Sequence, residues 1–208
     1  VKMGEFKATS FEELFQGTKA LPWGDWIPVD GKFTVVGKSV KSTLHSVPDC
    51  QAIVKKAIVE KLKEKYDVDW FDETGAEYTV QVALLKDMAT LTIDTSGSGL
   101  HKRGYRANAL DAPLKETLAA AMVELSYWNK DRILLDPFCG SGTIPIEAAL
   151  IARNIAPGLN RHFASEKWER VPESLWKEER RKCYEAIDYD CMPEIYGSDI
   201  DPAAIELA

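Results

Sequence analysis

Asp136, Gly140, Gly142 and Thr143 fall within one short run, Asp136-Pro137-Phe138-Cys139-Gly140-Ser141-Gly142-Thr143. An acid, two closely spaced glycines and a hydroxyl suit a backbone that must come close to a ligand, because glycine has no side chain to obstruct it. The run follows Arg132-Ile133-Leu134-Leu135, a short apolar stretch that reads as a buried parallel strand. It precedes Ile144 to Arg153, which reads as a helix with an apolar face. A strand therefore ends in an acid, turns through two glycines and enters a helix whose first N–H groups lack partners. The chemistry this suits is the holding of a nucleotide-like cofactor. A dinucleotide fingerprint fits worse. Pro145 stands where its third glycine belongs, and the next strand-end acid, Asp199, lies well beyond the roughly 20 residues expected. A phosphate-binding loop would close with Gly-Lys-Ser/Thr, and this turn closes with Gly142-Thr143.

The elements that must position this loop are legible in the rhythm of the chain. Ser10-Phe11-Glu12-Glu13 has the form of a capping box and predicts a helix to about Ala20. Phe33 to Val40 alternates and is rich in β-branched residues, which predicts a strand. Pro48-Asp49 opens a helix with Ala52, Ile53, Ala57, Ile58 and Leu62 at helical spacing. Tyr78–Leu85 and Met88–Asp94 read as two strands joined by Lys86-Asp87. This first region is α+β. Thr95-Ser96-Gly97-Ser98-Gly99 reads as a linker, followed by the basic stretch Lys102-Arg103-Gly104-Tyr105-Arg106. Pro113 suits the first turn of a helix running from Thr117 to Ser126. From Ile133 onward the pattern is strand, helix, helix, strand, helix, with an inserted helix at Trp176–Ile187 and a second strand at Glu194–Asp199. That is the order of a doubly wound α/β sheet. Such a sheet needs roughly four or five parallel strands to cover both faces. The sequence is therefore expected to be part of a longer protein.

Composition narrows the function classes. Hydrophobic residues make up 45% and charged residues 28% of the 208 positions, which suits a soluble globular protein with an ordinary core. No apolar run approaches a membrane span, and the N-terminus carries no signal-peptide core. Cys50, Cys139, Cys183 and Cys191 lack the spacing of a zinc site, so no metal is expected and a reduced, cytoplasmic setting is. The net charge of −7 argues against a nucleic-acid binder. The charge is uneven, however. Val36–Tyr66 holds seven lysines against three acids, whereas Phe163–Ala208 holds twelve acids against six basic residues.

The second region resembles one family, the RNA methyltransferases that carry an N-terminal THUMP domain and modify the N2 amino group of guanine. Within it the chain is most similar to the bacterial 23S ribosomal RNA group, whose members are often labelled N6-adenine-specific DNA methylases. The resemblance is carried by Leu100 to Arg106, Ala112 to Ala121, Leu135 to Thr143, Ile146-Glu147-Ala148-Ala149, Asn154 to Gly158 and Tyr196 to Asp201. It implies three regions: a THUMP-like RNA-binding region at 1–95, a basic linker at 96–111 and the first part of a methyltransferase domain at 112–208. It implies S-adenosylmethionine as cofactor, wrapped by Asp136, Pro137, Phe138, Cys139, Gly140, Ser141, Gly142 and Thr143. Asp199 would bind the ribose hydroxyls, with Ile200 beside it. Asp201 would share that task or cap the next helix; the cap is the expectation here. Pro113, Lys115, Glu116 and Thr117 would close over the cofactor's amino-acid end. Lys102, Arg103 and Arg106 would meet the RNA backbone, with Tyr105 available for stacking. Cys139 reads as a small packed residue and not as a nucleophile, since no basic partner is near it in sequence.

One departure matters. Amino-methyltransferases of this kind carry Asp/Asn-Pro-Pro-Tyr/Phe after a later strand, and no Pro-Pro occurs in these residues. That motif accepts the protons of a poorly nucleophilic exocyclic amine and directs its lone pair at the methyl group. No catalytic residue is therefore expected in this chain. Two alternatives stay open at this point. One is the same chemistry on transfer RNA or on adenine N6. The other is a non-catalytic RNA-binding protein built on a methyltransferase fold.

Overall fold

Ser10 and Glu13 start the first helix by reciprocal capping. The Ser10 hydroxyl accepts the Glu13 N–H at 3.2 Å, and the Glu13 carboxylate accepts the N–H groups of Ser10 at 3.3 Å and Thr9 at 2.7 Å. Helix α1 then runs from Phe11 to Lys19. These observations come from a computed structural model that describes residues 1–105 and 114–208. The chain forms two units: Val1–Gly97 together with Phe163–Val171, and Ser98–His162 together with Pro172–Ala208. Each is described by itself.

In the first unit, β1 (Lys2–Lys7), β2 (Lys32–Val40), β3 (Glu77–Leu85) and β4 (Met88–Asp94) form one sheet in the order β1-β4-β3-β2. β2 and β3 are parallel, so the chain must cross over between them, and helix α2 (Val47–Tyr66) makes the crossing. β3 and β4 are antiparallel and turn through Lys86 and Asp87, both at positive φ (50° and 63°). Two such residues make the turn whose twist matches a hairpin. Tyr78, Val80, Val82 and Leu84 alternate inward along β3 and meet Leu14, Trp23, Val54, Ile58 and Leu62 in one apolar core.

Strand β1 is not signalled by the sequence. Three of its six residues, Lys2, Glu5 and Lys7, are charged, its register shifts between Lys2 and Gly4, and it lies at the sheet edge against β4. The segment Phe163–Val171 was equally silent, yet it completes this core. Trp168 is buried and stacks on Tyr78 with ring centroids 4.7 Å apart. Its indole N–H donates to the Glu77 carbonyl at 3.1 Å, and the Ser165 N–H and hydroxyl both donate to the Thr95 carbonyl.

In the second unit, β5 (Leu134–Asp136) and β6 (Ile195–Gly197) pair in parallel, Asp136 opposite Gly197. Among the described residues, helices α3 (Glu116–Leu125), α4 (Thr143–Ala152), α5 (Glu173–Glu185) and α6 (Pro202–Glu206) accompany them. Strands and helices alternate as in an α/β sheet, and α3 packs against α4. α5 begins three residues earlier than its sequence suggests and buries none of its side chains. Among the described residues, no helix is long and apolar enough to cross a membrane.

Replacing Trp168 with Ala removes a fully buried, stacked and hydrogen-bonded indole from the first unit. Chemical denaturation should show a loss of about 3–5 kcal/mol. A loss below about 1 kcal/mol would mean that Trp168 is not part of this core.

Candidate functional site

Two strand ends are laced together by backbone. The Ser198 N–H donates to the Asp136 carbonyl and the Cys139 N–H to the Ser198 carbonyl, each at 2.9 Å. Asp136 also shapes the start of its own loop, because its carboxylate accepts the Phe138 N–H at 3.2 Å. A turn from Cys139 to Gly142 follows, closed by a 2.9 Å bond between the Gly142 N–H and the Cys139 carbonyl. Gly140 and Gly142 hold φ values of 53° and 75°. Gly142 is the residue from which α4 starts. A side chain there would stand 3.1 Å from Ala208 Cβ, whereas one at Gly140 would meet open space. Backbone conformation alone therefore demands glycine at 140, and the flank of the loop is free for a ligand to approach.

Asp199 closes the other side of the loop. One carboxylate oxygen accepts the Gly140 N–H at 2.8 Å and the other accepts the Asp201 N–H at 3.0 Å. These backbone donors, that of Asp201 first, hold its pKa below the usual Asp value. A carboxylate has about four acceptor positions. Asp199 can thus hold the loop and still accept from a ligand's hydroxyl groups. Ile200, next along, is 99% exposed, and Phe138 in the loop is 85% exposed. Asp201 caps α6, accepting the Ala203 N–H at 3.0 Å.

Ser141 and Thr143 are buried at the start of α4. Cys139 is also buried. Burial pushes its thiol pKa up and the carboxylates of Asp136 and Asp199 add to the effect, which is the opposite of an activated nucleophile. Lys115 is the residue from which α3 starts, its carbonyl accepting the N–H groups of Leu118 and Ala119. Lys115 and Thr117 are exposed, whereas Glu116 is buried. Pro113 and Arg106 lie outside the described residues. No group of three or more His, Cys, Asp and Glu side chains gathers as metal ligands among the described residues.

The basic stretch differs from its expected role. Lys102 is exposed, but Arg103 and Tyr105 turn inward onto Glu147 of α4. Sequence reasoning assigned no role to Glu147. The available signal was a charged residue in the otherwise apolar run Thr143–Ala152, four positions after Thr143 and so on the same helix face.

Comparisons with known proteins point to one family. A family model described as "RMKL-like, methyltransferase domain" matches residues 103–208, and a THUMP domain model matches residues 8–94. "Putative RNA methyltransferase YpsC" of Bacillus subtilis (strain 168) is 58% identical over the whole chain, which covers 54% of that protein. "Ribosomal RNA large subunit methyltransferase K/L" of Psychromonas ingrahamii is 36% identical over the whole chain, which covers 28% of it. The chain thus spans about half or less of these relatives. The solved structure of SMU.472, described as "a putative methyltransferase complexed with SAH", superposes with a TM-score of 0.93 at 48% identity. That match covers all of this chain and 55% of the other.

Because the Asp199 pKa is lowered in the folded state, its tie to Gly140 persists at neutral and mildly acidic pH and is lost as pH falls through the lowered value. In an NMR titration the Gly140 amide resonance should move with a midpoint below 3.8, the ordinary value for this group. A midpoint at or above 3.8 would contradict the assigned geometry.

Proposed function

The chain belongs to the RMKL-like methyltransferase family, with a THUMP domain ahead of its methyltransferase domain, and on that premise we propose that the whole protein is an S-adenosylmethionine-dependent RNA methyltransferase. The substrate in this proposal is the exocyclic N2 amine of a guanine in 23S ribosomal RNA, methylated in the cytoplasm. The observation that carries the proposal is the loop 136–143 held against Asp199 through the Gly140 N–H.

The residues fit the cofactor. Two glycines at positive φ and an open flank at Gly140 let the backbone approach it. The start of α4 offers a site for its methionine carboxylate. Asp199 accepts the ribose hydroxyls, and the exposed side chain of Ile200 offers an apolar surface to the adenine. Lys115 and Thr117, exposed at the start of α3, are placed to meet the amino-acid end. When bound, S-adenosylmethionine supplies a methyl group on a sulfonium centre. The contribution of these residues is to fix that group's position, on which an in-line displacement depends. In this proposal, acceptance of the amine protons falls to an Asp/Asn-Pro-Pro-Tyr/Phe motif, which does not occur among these 208 residues.

The THUMP domain supplies RNA affinity in this proposal, and Lys102 adds a phosphate contact. The 36% identity to the large-subunit K/L enzyme supports a ribosomal target.

The full-length protein, given radiolabelled S-adenosylmethionine with unmodified ribosomal RNA, transfer RNA or DNA, should yield N2-methylguanosine in ribosomal RNA alone. Methyladenine in DNA, or no transfer to any acceptor, would overturn the proposal. Asp199→Ala should weaken S-adenosylhomocysteine binding by tenfold or more in calorimetry, taking roughly 1.5–3 kcal/mol for a lost charge-assisted hydrogen bond. Unchanged affinity would remove Asp199 from the site.

A further inference from the structure

We infer that Glu147 is a positioning residue for the cofactor loop, and that Arg103 and Tyr105 serve it instead of contacting RNA. The inference rests on the reading above that the loop binds S-adenosylmethionine.

Glu147 lies one helical turn beyond Thr143 on the same face of α4, and it is 1% exposed. A carboxylate so deeply buried must be neutralised by partners. Its partners come from the segment that precedes α3. The Arg103 guanidinium bonds to both oxygens, Nε to Oε1 at 3.4 Å and Nη2 to Oε2 at 3.1 Å, and the Tyr105 hydroxyl donates to Oε1 at 3.1 Å. The Arg103 side chain is only 12% exposed. Its planar fork matches the carboxylate in a way that a lysine would not.

The same segment is fixed from a second side. Arg161 is buried, and its guanidinium donates to the carbonyls of Ser98 at 2.5 Å, Gly99 at 2.8 Å and Lys102 at 3.3 Å. Arg180 of α5 in turn holds the carbonyls of Leu159 and Arg161, at 2.6 and 2.8 Å. Gly104 has a φ of 90°, and a side chain there would stand 2.0 Å from the Asn160 carbonyl oxygen. Residues 98–105 are therefore seated between the 159–161 loop and α4. From this seat, Arg103 and Tyr105 hydrogen-bond to Glu147.

The consequence concerns the loop. Gly142 and Thr143 form the first turn of α4, so the loop can stay in register with Asp199 only if α4 stays in place. Removing one partner of a buried ion pair leaves a bare charge, which is relieved by shifting the helix or admitting water. Either response moves the helix start that receives the cofactor. A phosphate contact by Arg103 would predict something different: RNA affinity would suffer and the cofactor site would not.

The test uses the full-length protein and three measurements: S-adenosylhomocysteine affinity by calorimetry, the salt dependence of ribosomal RNA binding, and folding by circular dichroism. Arg103→Gln and Glu147→Gln should each weaken S-adenosylhomocysteine binding by about tenfold or more at temperatures where both are folded. The double variant should be no worse than the weaker single variant, because the two residues act as one unit. The salt slope for RNA should stay at the wild-type value in Arg103→Gln and fall by about one in Lys102→Ala. Should either glutamine variant fail to fold, Tyr105→Phe removes the hydroxyl that bonds Glu147 and should still weaken S-adenosylhomocysteine binding several-fold. A lower salt slope in Arg103→Gln with unchanged S-adenosylhomocysteine affinity would overturn the inference, as would wild-type affinity in Tyr105→Phe. If the wild-type protein itself bound no S-adenosylhomocysteine, the proposed function would fail instead.

Discussion

The hydrogen bond from the Gly140 N–H to Asp199 joins residues 59 positions apart, and the site depends on it. β5 and β6 are each only three residues long, so their pairing alone fixes little. Past the strand ends, the chain continues to bond across the gap, through Ser198 to Asp136 and Cys139 to Ser198. Asp199 then captures the loop itself. Its carboxylate carries the charge that a ribose hydroxyl would seek, and the same charge orders the loop that faces the ligand. In the proposed function a single acid thus does both, because a carboxylate can accept more hydrogen bonds than the loop requires.

The two units solve burial differently. The first has an apolar core in which tryptophan and tyrosine satisfy their polar atoms at the edge, as Trp168 does with Glu77. The second buries Glu116, Ser141, Thr143, Glu147 and Arg161 among small apolar residues such as Ala119, Ala148 and Ala204. Buried ion pairs are inefficient as glue, since desolvation offsets most of their attraction. Their directionality is the useful property. An apolar contact tolerates a slipped helix, while a two-pronged bond from Arg103 to Glu147 does not. A site that must hold a reacting group in one place gains from that intolerance.

What the sequence reveals tracks how local each signal is. The Ser10–Glu13 cap, the Lys86-Asp87 turn and the glycine loop are each determined within a few residues, and the structure contains all three. Strand β1 escaped notice because an edge strand with polar residues lacks an apolar alternation to read. The 163–171 segment escaped because Trp168 finds its partner 91 positions away. Arg161 binds backbone carbonyls, which every residue has, so nothing in the sequence singles out its partners. The resemblance gives Arg103 an RNA-backbone contact and Tyr105 a stacking role; only the fold brings Glu147 to them.

The distribution of basic residues carries the argument one step further. Arg103, Arg161 and Arg180 spend their guanidinium groups on a buried carboxylate and on carbonyls inside the second unit. Arg170 lies over the Trp26 ring and donates to the Asp25 carbonyl in the first. The basic stretch between Val36 and Tyr66, by contrast, contains lysine and no arginine. Arginine is thus used where a planar fork must fit one partner, and lysine where a mobile point charge suffices. Lysines facing phosphate give affinity that falls with salt and carries no base information. In the proposed function, the lysine-rich THUMP unit therefore draws RNA in without choosing the nucleotide. In that reading, choice of the nucleotide rests with contacts to the base edge, not with these lysines.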